Sequence, residues 1–332
     1  MCCPLRGLLG REETMPFSHY TGRRKVVVVG AGAVGSTFCY ALCQRGLADE
    51  IALIDTNTAL AHGQVLDLVH GKPFLPTVDV RVGDCADYAD AQLIVVTAGA
   101  AQQPGQNRLQ LAARNAAIMH RIVDDIVAQH SDAVMLVVSN PVDVLTQVAI
   151  RRSGWEAGRV IGSGTVLDSA RLRYLLSSHC GIDVHNVHAY MLGEHGDSEL
   201  AAWSMTHLAG VHIDRYCPMC GACADWRAEL DRIEQQVRDS AYHVIDYKGA
   251  TWFAVGLALV QIAAAVLRGQ RSVMTVSTLL RDAFGVSEVC LSVPSIVSAA
   301  GVERIVAVPL QPAEQTALAA GARQVKAVFD AL

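Results

Sequence analysis

Short apolar runs recur through the first half of this chain and alternate with longer segments of helix length. The runs cover residues 25–29, 51–54, 78–82, 93–97, 134–138 and 160–161. The first has no polar face, as expected of a strand that is buried on both sides of a parallel sheet. Alternation of such strands with helices predicts an α/β fold built on a doubly wound parallel sheet.

A glycine-rich turn joins the first run to a segment, residues 36–45, that is predicted to be helical. Gly30, Gly32 and Gly35 follow the G-x-G-x-x-G spacing. Glycines permit a tight turn and close approach of the backbone to a pyrophosphate, and the start of the helix offers free N–H groups and the positive end of its dipole. The turn therefore predicts a dinucleotide site.

Asp55 ends the second run, twenty positions beyond Gly35. A carboxylate at this place can accept both ribose hydroxyls and repels a 2′-phosphate, so NAD is favoured over NADP. A turn beside an unrelated surface aspartate is the alternative. The expected contacts with NAD are Gly30, Gly32, Ala33, Val34, Gly35, Asp55, Thr97, Ala98, Gly99 and Asn140.

Two loops follow predicted strands at their carboxyl ends, where ligands bind in sheets of this kind. Residues 97–111 contain glycine and proline and include Arg108. Their length is typical of a lid that carries a charge toward a site, although a solvated connector is the alternative. The second loop begins at Asn140 and Pro141.

Three charged residues and one histidine are further candidates. Asp168 and Arg171 are three apart, so on a helix they share one face, whereas Arg173 lies about 200° from Arg171. An ordinary surface salt bridge is the alternative for the first two. His195 stands between Glu194 and Gly196, and an imidazole suits proton exchange near neutral pH. One of twelve histidines without a catalytic role is the alternative.

The composition is that of a soluble globular protein. The 332 residues are enough for two domains, half of them are apolar, and the net charge is −5 at pH 7. This balance excludes an electrostatic attraction to nucleic acid. The apolar run 251–267 is interrupted by Gln261, so we expect a buried helix and no membrane span. Residues 1–24 lack a signal-peptide core and predict a loose N-terminal arm.

The ten cysteines have no regular spacing and predict reduced thiols in the cytoplasm. Cys217, Cys220 and Cys223 could bind zinc together with His212, but a second CxxC or HxxxH pair is missing from the sequence. We therefore interpret this segment as a thiol-rich loop and expect no metal site.

Six segments, in this order, resemble the L-lactate dehydrogenase family: GAGAVG, IALID, TAGAAQQPGQNR, SNPVD, GSGTVLDSARLR and GEHGDSEL. The resemblance extends from about Lys25 to the C-terminus. It implies an NAD-binding Rossmann domain over residues 25–164 and an α+β substrate-binding domain over residues 165–332. It also implies a cytoplasmic homotetramer that interconverts pyruvate and lactate.

The resemblance implies a role for each candidate. His195 would give its proton to the carbonyl oxygen of a 2-oxo acid, and Asp168 would hold and stabilise the imidazole ring. Arg171 would bind the substrate carboxylate through a bidentate fork. Arg108 would arrive on the closing lid and polarise the carbonyl, and Asn140 would donate to the reacting oxygen.

Substrate choice depends on the lid. The related malate dehydrogenases carry an arginine there that pairs with the second carboxylate of their substrate, and this chain has Gln102 at the matching place. Pyruvate therefore fits better than oxaloacetate, and Thr251 would close the pocket on the other side. A malate dehydrogenase, an enzyme for a larger 2-hydroxy acid, and a catalytically silent NAD-binding protein stay open as alternatives.

Two residues match a regulatory site. Arg173 and His188 correspond to positions that bind fructose 1,6-bisphosphate across a subunit interface in bacterial lactate dehydrogenases. An interface arginine and histidine without a ligand are the alternative, since relatives without this regulation have similar residues.

Overall fold

The computed structural model describes residues 22–100, 108–221 and 223–332, apart from the side chain of Arg108. Most of the predicted arm and the lid residues 101–107, including Gln102, lie outside the described residues. At the end of the arm, Arg24 donates to Asp49 from its backbone N–H at 2.8 Å and from Nη2 at 2.7 Å.

The first half of the chain alternates strands with helices. Its elements are β1 (Lys25–Val29), α1 (Ala33–Arg45), β2 (Glu50–Ile54), α2 (Thr58–His70), β3 (Asp79–Val82), β4 (Leu93–Val96), α3 (Arg108–Ala128), β5 (Val134–Val137), α4 (Val142–Ser153) and β6 (Val160–Gly162). Helix α1 begins three residues earlier than predicted, because Gly32 is its N-cap and the glycine turn is correspondingly short.

The second half begins with α5 and ends with α9. Its elements are α5 (Val166–Cys180), β7 (Val187–His188), β8 (Met191–Leu192), β9 (Leu200–Ala201), β10 (His207–Leu208), β11 (Val211–His212), α6 (Ile213–Cys220), α7 (Trp226–Lys248), α8 (Phe253–Arg268), β12 (Ser272–Leu280), β13 (Val289–Ser298), β14 (Gly301–Ile305) and α9 (Pro312–Asp330).

Nine strands of the described residues form one sheet in the order β14-β13-β12-β6-β5-β4-β1-β2-β3. The six strands from β3 to β6 are parallel, and Val27 of β1 pairs with Ala52 of β2 and Ile94 of β4. Strands β2 and β3 lie on one side of β1, and β4, β5 and β6 lie on its other side. The strand order therefore reverses between β1 and β4, and a crevice opens there at the carboxyl ends. The predicted doubly wound parallel sheet is confirmed.

Antiparallel strands of the second half extend this sheet. Ser277 of β12 lies opposite Gly162 of β6. A Cβ on Gly162 would lie 2.4 Å from Thr146 Oγ1 and 2.8 Å from the Cβ of Ser277, so only glycine permits this approach. The contact brings β12 against α4, which carries residues of the site described below.

The core occupies both faces of the parallel strands. Val26 and Val28 pack on one side with Phe38 of α1 and with α8, and Val27 packs on the other side with Met119 of α3. Full burial of side chains of this size contributes about 1.5–3 kcal/mol each. The central strands are therefore rigid supports for the loops at their carboxyl ends.

The apolar run 251–267 forms α8, which is helical as predicted. Its buried face includes Leu259, Ile262 and Ala263, while Phe253 and Leu257 are exposed. None of the helices that the structure describes has the length and apolar character needed to cross a membrane.

The prediction of a thiol-rich loop is wrong for Cys217 and Cys220, which belong to α6. The ring of His212 accepts from the Asp214 N–H and caps the start of this helix. Cys217 is buried with Ile213 and Leu208, so its apolar packing favours a helix.

Candidate active site

Helix α5 places two charged side chains side by side near its first turn. Asp168 is buried, and Arg171 donates from Nη1 to Asp168 Oδ1 at 2.7 Å. The alternative of a surface salt bridge does not describe this pair, because the carboxylate is only 1 % exposed. A buried carboxylate of this kind must be paired to remain ionised.

The start of α5 is tied to the strand that precedes His195. Thr165 Oγ1 donates to the Met191 carbonyl at 2.6 Å, and the Met191 N–H donates to Ser169 Oγ at 2.9 Å. Met191 lies in β8, and the loop with His195 follows that strand. These buried hydrogen bonds fix the loop relative to the helix, which is what a precise contact between the two requires.

His195 is held at its ring and at its backbone. Ring atom Nδ1 lies 2.7 Å from Asp168 Oδ2, and the backbone N–H donates to Asp143 Oδ2 at 2.8 Å. Because a carboxylate only accepts, Nδ1 carries the hydrogen, and Nε2 is the nitrogen that can exchange a proton with a bound molecule. The two oxygens of Asp168 thus serve His195 and Arg171 separately.

The charges set the protonation of this pair. Burial alone would lower the pKa of His195, but the charge and hydrogen bond of Asp168 raise it to about 9. Burial likewise favours a neutral Asp168, yet His195 and Arg171 hold the pKa of that carboxyl below its usual range. At neutral pH the ring is therefore an imidazolium that has a proton to donate.

Asp143 is a further buried side chain at this site that the sequence patterns do not indicate. It is buried in α4, accepts from the His195 backbone N–H, and accepts from Ser277 Oγ at 2.6 Å. Burial raises its pKa to about 6, against the opposing effect of these two hydrogen bonds. Its place two residues after Pro141 is the sequence signal, but nothing local to it indicates contacts with residues 52 and 134 positions away.

A cleft of about 270 Å³ opens beside these groups, and His195, Asp168, Arg171 and Asn140 line it. A volume of this order suits a substrate of few atoms. Thr251, predicted to close the pocket, precedes α8 and is not among the described residues that line the cleft. Gln102 and the side chain of Arg108 lie outside the described residues.

The glycine turn fits a dinucleotide. Gly30 has φ +112°, and a Cβ on it would lie 2.6 Å from Thr97 Oγ1. A Cβ on Gly35 would lie 1.9 Å from the Gly30 carbonyl oxygen, whereas one on Gly32 would meet no described atom within 4 Å. Helix α1 has no side-chain cap, so its first N–H groups, including those of Ala33 and Val34, are available to a phosphate.

Asp55 fits the ribose. Its Oδ2 accepts from the Ala31 N–H and its Oδ1 from the Asn57 N–H, both at 2.7 Å. These bonds fix the carboxylate beside the glycine turn and leave lone pairs on each oxygen for ribose hydroxyls.

The third part of the cofactor region follows β4. Thr97 Oγ1 donates to the Gly30 carbonyl at 3.1 Å, and the Ala98 carbonyl accepts from Ser139 Oγ at 2.6 Å. A Cβ on Gly99 would lie 3.3 Å from the Cβ of Ser139, so the two loops are in close contact. The residues predicted to bind NAD therefore lie beyond the carboxyl ends of β1, β2, β4 and β5, on both sides of the crevice between β1 and β4.

Asn115 joins the base of the lid to the Asn140 loop. Its side chain accepts from the Ala100 N–H at 2.8 Å and donates to the Asn140 carbonyl at 2.7 Å. Asn115 is buried within α3. A polar amide within an amphipathic helix is the only sequence signal for this role.

The two residues predicted to bind a bisphosphate lie apart from the cleft. Arg173 is half-buried on α5, and its Nε is buried without a hydrogen-bond partner in the described parts of the chain. His188 is exposed on β7. The two elements pack together through Leu172 and Val187.

His212 makes no hydrogen bond to Cys217, Cys220 or Cys223 among the described residues. Cys223 Sγ lies 3.7 Å from His179 Nε2, while the ring nitrogens of His212 contact the Asp214 N–H and the Ser204 carbonyl. Within residues 22–100, 108–221 and 223–332, one group of side chains is compact enough for a metal ion, namely Asp168, His195 and Glu199.

Two family models match the chain in succession. Residues 24–162 match the NAD-binding domain of the lactate/malate dehydrogenases, and residues 165–331 match their α/β C-terminal domain. Together the matches cover nearly the whole chain.

Individual relatives agree with these models. The chain is 57 % identical over 308 residues to an L-lactate dehydrogenase of Treponema denticola, covering 92 % of this chain and 98 % of the relative. It is 46 % identical over 309 residues to an L-lactate dehydrogenase of Acetivibrio thermocellus, covering 93 % and 97 %. The ligand-bound crystal structure of a minor L-lactate dehydrogenase from Enterococcus mundtii superposes with a TM-score of 0.91 at 38 % identity, covering 93 % and 98 %.

Proposed function

We propose, from the premise that this chain belongs to the lactate/malate dehydrogenase family, that it is an NAD-dependent L-lactate dehydrogenase. The proposed reaction is the reversible conversion of pyruvate to (S)-lactate. One observation carries the proposal: Asp168 bonds His195 through one oxygen and Arg171 through the other, at the wall of a small cleft. This arrangement combines a proton donor with a carboxylate clamp.

NADH, when bound along the glycine turn and Asp55, supplies the hydride for the substrate carbonyl. His195 donates the proton from Nε2 to the carbonyl oxygen and takes it back in the reverse direction. Asp168 stabilises the imidazolium before transfer and keeps the ring in place after it. A general acid of this kind contributes a factor of about 10² to 10⁴ in rate.

Arg171 binds the substrate carboxylate. One of its Nη1 hydrogens is used by Asp168, and the guanidinium has further donors for a bidentate pair. Asn140 donates to the reacting oxygen, and Arg108 polarises it when the lid closes and excludes water. Together these groups bind the developing alkoxide more strongly than the ground-state carbonyl.

Gln102 selects pyruvate over oxaloacetate in this proposal. Oxaloacetate would place a second carboxylate opposite a neutral amide, and a buried charge without a partner costs about 3–5 kcal/mol. Thr251 does not line the cleft among the described residues, so its place at the other side of the pocket stays a prediction.

We extend the proposal to assembly and regulation. The enzyme is a cytoplasmic homotetramer with a cofactor domain over residues 25–164 and a substrate domain over residues 165–332. Fructose 1,6-bisphosphate binds Arg173 and His188, and Arg173 Nε, which is buried without a hydrogen-bond partner in the described ranges, supports this assignment. Pyruvate saturation curves with and without the bisphosphate, between about pH 5.5 and 7.5, test it with Arg173→Gln as control. Unchanged curves in the wild-type protein would reject this regulation.

Product analysis tests the activity itself. Wild-type protein with NADH and pyruvate should form (S)-lactate in proportion to NADH consumed. His195→Asn should bind NADH with unchanged affinity, measured by fluorescence, and form no product, since an amide does not supply the proton. A wild-type protein that binds NADH and reduces none of the 2-oxo acids would be a silent dinucleotide-binding protein.

A further inference from the structure

Glu199 is a buried carboxyl group at the catalytic pair that the proposed mechanism does not use. It immediately precedes β9, is 4 % exposed, and lines the same cleft as His195. Its carboxyl group lies within 4.8 Å of both the Asp168 carboxylate and a ring nitrogen of His195. Its backbone is fixed on both sides, since the N–H donates to the Gly196 carbonyl at 3.2 Å and the carbonyl accepts from Arg238 Nη1 at 3.0 Å.

Two carboxyl groups this close and this buried do not both ionise, so the pair holds one proton. Asp168 has two cationic partners, Arg171 and His195, each at 2.7 Å. Glu199 Oε2 is buried and has no hydrogen-bond partner among the residues that the structure describes. An ionised Glu199 would leave that oxygen without compensation, whereas Asp168 is fully compensated. The proton therefore resides on Glu199.

We propose that Glu199 is a positioning residue of the catalytic pair, which it serves as a neutral carboxylic acid that donates a hydrogen bond to Asp168. The proton holds the Asp168 carboxylate in the orientation that serves Arg171 and His195 at once. It also limits the negative charge of the two carboxyl groups to one, so that the imidazolium is stabilised without becoming too weak an acid. The catalytic consequences of this inference rest on the proposed function, and the protonation of Glu199 does not.

The surroundings agree with this assignment. Asp168 and Arg171 face Glu199 from α5, His195 faces it from its own loop, and Arg238 of α7 reaches its backbone. Burial and the adjacent Asp168 charge raise the pKa of Glu199 to about 9. Arg238 Nη1 pairs with the Glu234 carboxylate at 2.6 Å, and its contact with Glu199 is to the backbone carbonyl.

Two variants separate a neutral donor from a charged group. Glu199→Gln keeps the size, the neutral charge and an N–H donor for Asp168, so as the conservative variant it should restore most of the kcat/KM for pyruvate that Glu199→Leu loses, with an alkaline decline like that of the wild type. Glu199→Leu removes the donor and leaves Asp168 without it. Loss of a hydrogen bond to a charged group should reduce kcat about tenfold or more, with a smaller change in KM, because the proton donor is displaced more than the carboxylate clamp.

Infrared difference spectra of the full-length protein test the protonation directly. At about pH 7.5, where Asp143 is ionised, the wild-type spectrum should contain a protonated carboxyl band that is missing from Glu199→Gln. Thermal melting and NADH binding of each variant check the fold. The proposal is overturned if this band is absent from the wild type, if Glu199→Gln loses as much activity as Glu199→Leu, or if Glu199→Leu is fully active.

These readouts also distinguish the two proposals. A protein that reduces no 2-oxo acid refutes the proposed function, while the carboxyl band still decides whether Glu199 carries the proton.

Discussion

Replacing Asp168 by asparagine removes one negative charge from the centre of the site and preserves its shape. In the native protein this carboxylate is 1 % exposed and bonds both His195 and Arg171. The asparagine oxygen can still accept one of these bonds, but the imidazolium loses its counter-ion. We therefore expect the ring to become neutral at a lower pH, and Arg171 to lose part of its orientation.

The structure sets the size of this effect. A rise in the pKa of His195 from 6.5 to about 9 corresponds to about 3 kcal/mol in favour of the imidazolium, at about 1.4 kcal/mol per pH unit. This figure is the net result of opposing contributions, because burial of the ring lowers the pKa while Asp168, with a smaller contribution from Asp143, raises it. Loss of most of it should lower kcat/KM for pyruvate by a factor on the order of 10² to 10³.

The assay is kcat/KM for pyruvate reduction as a function of pH. Asp168→Asn should move the alkaline decline from about 9 toward the ordinary histidine value. Asp124→Asn is the matched control, since Asp124 also pairs with an arginine, Arg152, but both side chains are about half exposed. If Asp168→Asn kept wild-type kcat/KM and an unchanged decline, the assignment of Asp168 as counter-ion would be refuted.

Three other predictions concern substrate, cofactor and pH. Gln102→Arg should raise the ratio of kcat/KM for oxaloacetate over pyruvate, and an unchanged ratio would contradict the role given to the lid. Gly35→Ala should weaken NADH binding and lower the free energy of unfolding by about 1–3 kcal/mol, because its Cβ would meet the Gly30 carbonyl oxygen at 1.9 Å. Gly63→Ala is the control, since a Cβ there meets no described atom within 4 Å. It should raise the free energy of unfolding by about 0.5–1 kcal/mol. The folded-state pKa of His195 is raised to about 9, so the stability that its protonated form contributes should be fully present below about pH 6.5 and lost as pH rises through about 9. Lactate oxidation needs the neutral ring, so its rate should rise over the same pH interval. A lactate profile that is flat there would argue against His195 as the titrating group.

The sequence was sufficient for the elements whose signals are local. The apolar run at residues 25–29 and the glycine turn indicated a buried strand and a helix start, because strand burial and backbone freedom follow from residue type alone. The spacing of Asp168 and Arg171 likewise placed both on one helical face. These features need no knowledge of distant parts of the chain.

Contacts between distant segments could not be predicted in this way. Asp143 meets His195 and Ser277 only because the antiparallel strand β12 lies beside β6 at Gly162. Glu199 is an ordinary acid in the sequence, and its nearness to Asp168 depends on how β8 is tied to α5. The cysteine spacing of the thiol segment speaks only to metal binding, whereas the helix at Cys217 follows from its burial against Ile213 and Leu208, which the spacing does not reveal.

The most direct test of the central claim is kcat/KM for NADH oxidation by the wild-type protein with pyruvate, oxaloacetate and a branched 2-oxo acid measured side by side. We expect pyruvate to be preferred over oxaloacetate by about two orders of magnitude or more, the equivalent of about 3 kcal/mol for an unpaired buried carboxylate. Equal or greater efficiency with oxaloacetate or the branched acid would contradict it.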